Sequence, residues 1–324
     1  MTTMIDVTEV RQTYGSVTAL DGVSLSVDRG ETFGLVGTNG AGKTTLFRLL
    51  VGHETPDEGE VRVAGYGADA GVERRRHVGF LPEDAGFEPR LTGREVLTYY
   101  ARLREVPADE RERRVRRVLA TVGLEDAADR EVAGYSNGMT RRLGLGTTLL
   151  TRPDVLLLDE PTAGLDPEGV ADFHDVVRSI AETAMTVVLT SHDLREVEAL
   201  CDRATILRDG HEVVTGPVDE LRTAVATAAT VTCRLAPDAD PAAAVEAVAD
   251  LEAVPDAAVE QAGDPLVVTC PRGDEGPVLD AIRDAVAVTE FEVEGPGFAD
   301  AFRQHVADDR PANEVFAEDG GEPA

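Results

Sequence analysis

The chain has 324 residues, is 42% hydrophobic, and sets 31 Lys and Arg against 61 Asp and Glu, for a formal charge of −30. That length predicts about two domains, and the acidity argues against nucleic acid as a partner, since phosphate backbones attract basic surfaces. Three widely spaced cysteines give no disulfide framework or zinc spacing, no apolar run approaches the ~20 residues of a membrane helix, and the polar opening lacks a signal peptide, so a cytoplasmic protein is expected.

In chain order, Ile5 to Gln12 and Val23 to Val27 alternate like strands. Glu31 to Val36 reads as a short buried strand, and Thr45 to Val51 as a helix ending at Gly52. Between them stands Gly37-Thr38-Asn39-Gly40-Ala41-Gly42-Lys43-Thr44. This G-x-x-x-x-G-K-T spacing fits a P-loop, whose backbone N–H groups wrap phosphates while the Thr44 hydroxyl binds Mg²⁺. A helix N-terminus behind the loop adds partial positive charge to the anion site. Thirty of the 31 basic residues are arginine, and Lys43 is the one lysine. A compact ammonium reaches the β- and γ-phosphates where a broad guanidinium fits badly.

Val61 to Val63 reads as a further strand, and Leu91 to about Thr121 as helical with a solvated, charged surface. Val155 to Leu158 and Val187 to Leu189 are apolar runs expected of parallel strands buried on both faces. The first ends in Asp159-Glu160, the Walker B pattern, in which Asp159 serves the Mg²⁺ shell and Glu160 orients the attacking water. Arg203 to Val214, turning at Asp209-Gly210, reads as a hairpin. Beyond Leu221 the chain turns to alanine, valine and acids, with 6 Arg against 22 Asp and Glu over 221–324. The order strand 230–235, helix 241–251, strands 257–261 and 266–269, helix 277–286 and strand 289–293 suggests a small ferredoxin-like α+β domain. A last helix is expected over Gly297–Val306 and a disordered tail over 309–324.

The order P-loop, Tyr135-Ser136-Asn137-Gly138-Met139, Leu-Leu-Leu-Asp-Glu-Pro-Thr, Gly164-Leu165-Asp166, Ser191-His192 resembles the ATP-binding subunit of ABC transporters over about Met4 to Leu221. The Tyr-Ser-x-Gly-Met form and the extra C-terminal segment are similar to the exporter branch serving drug, sodium and polysaccharide efflux (the type-2 systems). Acidity with almost no lysine resembles proteins of organisms that keep molar salt in the cytoplasm, where screening relieves self-repulsion.

The resemblance implies an α/β fold: a P-loop NTPase with a RecA-like core and ABC antiparallel β and helical subdomains. It places the ABC domain at 1–220, its helical subdomain at about 84–150, and an accessory domain at 221–308. It implies that Gly37 to Thr45, Tyr14 on the adenine, and Ser136 and Gly138 from a second copy bind ATP. Thr44, Asp159 and Glu83 would attend Mg²⁺; Glu160, His192 and Lys43 would be catalytic, with His192 reading the γ-phosphate. Asp166 would touch the partner across the interface. Glu83 stands where many relatives have glutamine, and Asn137 where glycine is usual. The active unit would be a homodimer with ATP sandwiched between copies, docked through about Glu83 to Leu103 on an integral-membrane permease at the cytoplasmic face. The alternative class is a soluble ABC ATPase of repair, translation or cluster assembly.

Overall fold

The computed structural model describes residues 2–224 and 228–294, apart from positions 238, 250, 252 and 272. The chain forms two compact units that divide between Val218 and Asp219. The helix expected over Gly297–Val306 and the tail over 309–324 lie outside the described residues.

The first unit opens with strands β1 (Thr3–Tyr14) and β2 (Val17–Asp28), then β3 (Thr32–Gly37), helix α1 (Lys43–Val51), β4 (Glu58–Val63), α2 (Val72–Arg76) and β5 (Val78–Leu81). Helices α3 (Gly93–Leu103), α4 (Ala108–Thr121) and α5 (Asn137–Leu149) follow, packed on one another. The unit continues through β6 (Val155–Leu158), α6 (Pro167–Ala181), β7 (Thr186–Ser191), α7 (Leu194–Leu200), β8 (Arg203–Arg208) and β9 (His211–Pro217), and α8 (Val218–Ala224) spans the division.

Two sheets result: an antiparallel one in the order β2-β1-β4, and a six-stranded one in the order β5-β6-β7-β3-β8-β9, parallel except for β9. Every residue of β3, β6 and β7 is buried, as continuous apolar runs in central parallel strands require. Leu46, Phe47, Leu49 and Leu50 of α1 share one core with Val7, Val10, Val23 and Val61 of the smaller sheet and Phe33 and Leu35 of β3. The P-loop helix is thus gripped by both sheets.

Helix boundaries follow local chemistry. Thr92 and Glu95 make a reciprocal capping box at α3. Ser136 caps α5, its hydroxyl accepting from Met139 N at 3.2 Å. Asn137 is the first helical residue after it, so glycine's freedom is not used at this position. Asp166 caps α6 through Gly169 N at 2.9 Å, with Pro167 at the first helical position.

The second unit carries β10 (Ala228–Leu235), α9 (Pro241–Ala249), β11 (Ala258–Gln261), β12 (Leu266–Pro271), α10 (Glu275–Ala285) and β13 (Val288–Glu294). Its antiparallel sheet runs β11-β12-β10-β13. Val231, Cys233, Leu266 and Val268 share a core with Ala244 and Val248 of α9 and Val278 and Ile282 of α10. Cys233 and Cys270 are buried, unlinked thiols, so they serve here as small apolar side chains.

Candidate functional site: a phosphate-loop cavity

Register builds the site. In the parallel sheet Val36 lies beside Ser191, Leu158 beside Leu189, and Leu81 beside Leu158. The C-terminal ends of β3, β6, β7 and β5 therefore face the same way, where ligands bind in open α/β sheets. The residues just beyond those ends converge on a cavity of 620 Å³. Its walls include Thr38 to Thr45, Glu83, Asp159, Glu160 and His192.

The loop from Gly37 to Gly42 turns β3 into α1. Gly42 precedes the helix at φ 105°, and a Cβ there would lie 2.6 Å from the Ala19 carbonyl, so both conformation and space demand glycine. Gly37 is equally confined: an added Cβ would lie 2.6 Å from Leu207 O. Lys43 is 7% exposed. Its ammonium donates to Gly37 O at 2.6 Å and lies 3.6 Å from a Glu160 carboxylate oxygen.

The acids come from the end of β6. Asp159 is buried and its Oδ1 accepts from the Thr190 hydroxyl at 2.7 Å. Burial pushes the Asp159 carboxyl above the usual aspartate range, with Glu160 adding, while the Thr190 bond, Lys43 and Arg141 pull the other way. Glu160 has a left-handed backbone at φ 42°. Its N–H donates to Thr190 Oγ1 at 2.8 Å, and its Oε2 accepts from His192 Nδ1 at 2.8 Å. The Glu160 side chain is 13% exposed and that of His192 67%, so an inner carboxylate is steered by an outer imidazole.

Other expected residues lie elsewhere. Tyr14, expected against adenine, is not among the residues lining the cavity; its hydroxyl donates to Glu54, which also pairs with Arg48. Val17, Thr18 and Ala19 line the cavity instead. Ser136 and Gly138 are also absent from its walls, and their helix start approaches that of α6: a Cβ on Gly138 would lie 3.4 Å from Gly169 Cα. The Asp166 carboxylate is engaged in capping α6.

The family described as ABC transporter matches residues 20–163. The linearmycin resistance ATP-binding protein of Bacillus subtilis is 35% identical over 220 residues, 67% of this chain and 70% of that one. The chain belongs to the ABC transporter ATP-binding family. A daunorubicin resistance ATP-binding protein of Streptomyces coeruleorubidus is 40% identical to this ABC subunit, over 68% of this chain and 70% of its own. A dimeric ATP-binding cassette solved in a post-hydrolysis state with ADP and phosphate superposes with a TM-score of 0.59 at 25% identity, over 66% of this chain and 98% of that one. The first unit has the P-loop NTPase fold of ABC ATPases. The subunit binds and hydrolyses ATP to power a membrane permease. Among the described residues no helix is long and apolar enough to cross a membrane.

Sequence reasoning passed over three contributors to this ABC site. Thr190 was legible only as the end of an apolar strand, although it bonds both Asp159 and Glu160. Val17 to Ala19 follow a turn whose approach to the P-loop depends on the smaller sheet. Arg141, which no motif marks, is buried against the loops that carry the acids. Its signal would have been its place next to the inward-facing Leu143-Gly144-Leu145 run.

Proposed function

We propose that this ABC subunit works as a head-to-tail homodimer that holds two MgATP between P-loop and signature loop and drives an exporter-type permease. The observation carrying this reading is a division of labour. Lys43, Thr44, Glu83, Asp159, Glu160 and His192 border one cavity, whereas Ser136 and Gly138 do not border it. A signature loop outside its own site supports a second copy as the source of those groups.

In this reading the loop N–H groups and Lys43 grip the phosphates of ATP. Thr44, Asp159 and Glu83 offer only oxygen ligands, a set suited to Mg²⁺, which usually binds through one or two carboxylates plus phosphates. Mg²⁺, when bound, offsets charge on the phosphate oxygens. Glu160 accepts the proton of the attacking water, and the His192 imidazole holds that carboxylate in place. Nucleotide entry requires Lys43 to exchange the Gly37 carbonyl for phosphate, and Tyr14 reaches adenine by leaving Glu54.

The drug-resistance relatives support the exporter direction. Tyr99 and Leu103, 58% and 61% exposed on α3, support docking of the permease between Glu83 and Leu103, with the subunit peripheral at the cytoplasmic membrane face. The order β11-β12-β10-β13, with both helices on one core, supports a ferredoxin-like accessory domain. The charge of −30 with one lysine supports a salt-rich cytoplasm.

Glu160→Gln tests the reading. It keeps the phosphate grip and removes the proton acceptor, so the variant should bind MgATP, turn over at least about a hundredfold more slowly, and collect as an ATP-bound dimer on size-exclusion chromatography. Undiminished turnover would remove Glu160 from the mechanism.

A further inference from the structure

Arg141 lies five residues after the Ser136 cap, on α5, and is 7% exposed. Its Nε donates to the Pro161 carbonyl at 2.7 Å. Nη1 donates to Pro82 at 2.5 Å and Glu83 at 2.7 Å, and Nη2 to Asp159 at 2.7 Å and Glu160 at 3.1 Å, all at backbone carbonyls. A guanidinium has five N–H donors, and five carbonyls take them. Those carbonyls belong to two loops, one after β5 that carries Glu83 and one after β6 that carries Asp159 and Glu160. The charge itself faces the Asp159, Glu83, Glu196 and Asp84 carboxylates, which oppose the cost of burial.

The arrangement has more reach than a core cross-link needs. Glu160 sits at φ 42°, a conformation that persists only when the surroundings over-determine it. Thr190 holds its N–H and Arg141 holds its carbonyl. The helix carrying Arg141 begins at the signature serine, so a small rotation of α5 pulls on both loops together.

We propose that Arg141 is a positioning residue for hydrolysis: it ties the signature helix to the two acid-bearing loops, so that engagement of Ser136 is felt at Glu160 and Glu83. This rests on the reading of Glu160 as the group that orients water. Lysine keeps the charge but, with three donors at one point, reaches one loop rather than both, and glutamine, with two donors and no charge, holds neither as firmly.

The test uses the full chain with Arg141→Gln, Arg141→Lys, Ser136→Ala, Glu160→Gln and the Ser136→Ala/Arg141→Gln double variant. Steady-state ATPase kinetics, binding of the fluorescent analogue mant-ATP, and thermal midpoints are read for each. Arg141→Gln is expected to keep mant-ATP affinity and KM within about twofold while kcat falls about tenfold or more, with Arg141→Lys partly restored. Because Ser136 and Arg141 would act in one event, the double variant should lose less than the product of the single losses. A wild-type kcat in Arg141→Gln beside an inactive Glu160→Gln would overturn the proposal. So would strictly multiplicative losses, or failure of both Arg141 variants to fold or bind nucleotide, which would assign Arg141 to the fold alone. Retained turnover in Glu160→Gln would instead remove the underlying reading, and the proposal with it.

Discussion

Lys43 is tied to its own loop at the Gly37 carbonyl and lies beside Glu160, so its ammonium already occupies the space a phosphate would share. A guanidinium is planar and wider, and Gly37, whose carbonyl takes the lysine, is fixed in register beside Leu207 of β8. Lys43→Arg should therefore lower turnover by about tenfold or more and Lys43→Ala should also weaken ATP binding, as judged by mant-ATP titration and phosphate release. Normal turnover in the arginine variant would refute the steric argument. Asp159 gives a pH prediction. Its carboxyl sits above the usual aspartate range because it is buried, so on acidification it takes up a proton earlier than an ordinary aspartate. In the window between its unfolded and folded values the native state binds more protons than the unfolded one, so the Asp159 contribution to stability falls as pH rises. In the proposed site proton and Mg²⁺ would compete for the Asp159 oxygens, so the acid limb of the pH–rate profile should move to lower pH as Mg²⁺ is raised. A limb indifferent to Mg²⁺ would remove Asp159 from the metal shell.

Elements whose function is burial alone were the most legible. Val155 to Leu158 and Val187 to Leu189 are apolar runs with no polar alternation, and both lie in fully buried parallel strands. The P-loop was readable because glycines, Lys43 and the helix start occur in unbroken sequence. What sequence could not carry is proximity set by register: Thr190 meets Asp159 only because Leu158 and Leu189 are paired. Arg141 meets the carbonyls of Pro82 and Pro161 across 59 and 20 residues. Tyr14 is expected on adenine only through the family resemblance, and its hydrogen bond to Glu54 is set by the fold. Tight packing at this scale is testable at Gly34 in β3, where an added Cβ would lie 2.7 Å from Val197 Cγ1 of α7 and 3.2 Å from Ala204 Cβ of β8. Gly34→Ala should cost about 1–3 kcal/mol and lower the thermal midpoint by several degrees. An unchanged melting curve would show that α7 yields without cost.

On the scale of the whole molecule, charge dominates. Each chain carries −30, and a dimer holding ATP gathers more than twice that in one particle. The Debye length is about 30 Å at 0.01 M salt and about 3 Å at 1 M, so repulsion spans an interface in dilute buffer and is local in concentrated salt. ATPase activity and dimer formation should rise with KCl into the molar range, whereas a weakly charged P-loop enzyme loses capture of its anionic substrate there. Rates and circular dichroism from 0.1 to 3 M KCl would decide between them: an intact fold with peak activity at the dilute end would refute salt adaptation.

One further property comes from the lone, buried lysine. An amine-acylating reagent finds a single side-chain target in 324 residues, and that target is 7% exposed within the phosphate cavity. Where most proteins take up a ladder of such adducts, this one can take a single side-chain mark. Intact mass then counts, molecule by molecule, how many of these cavities admitted the reagent.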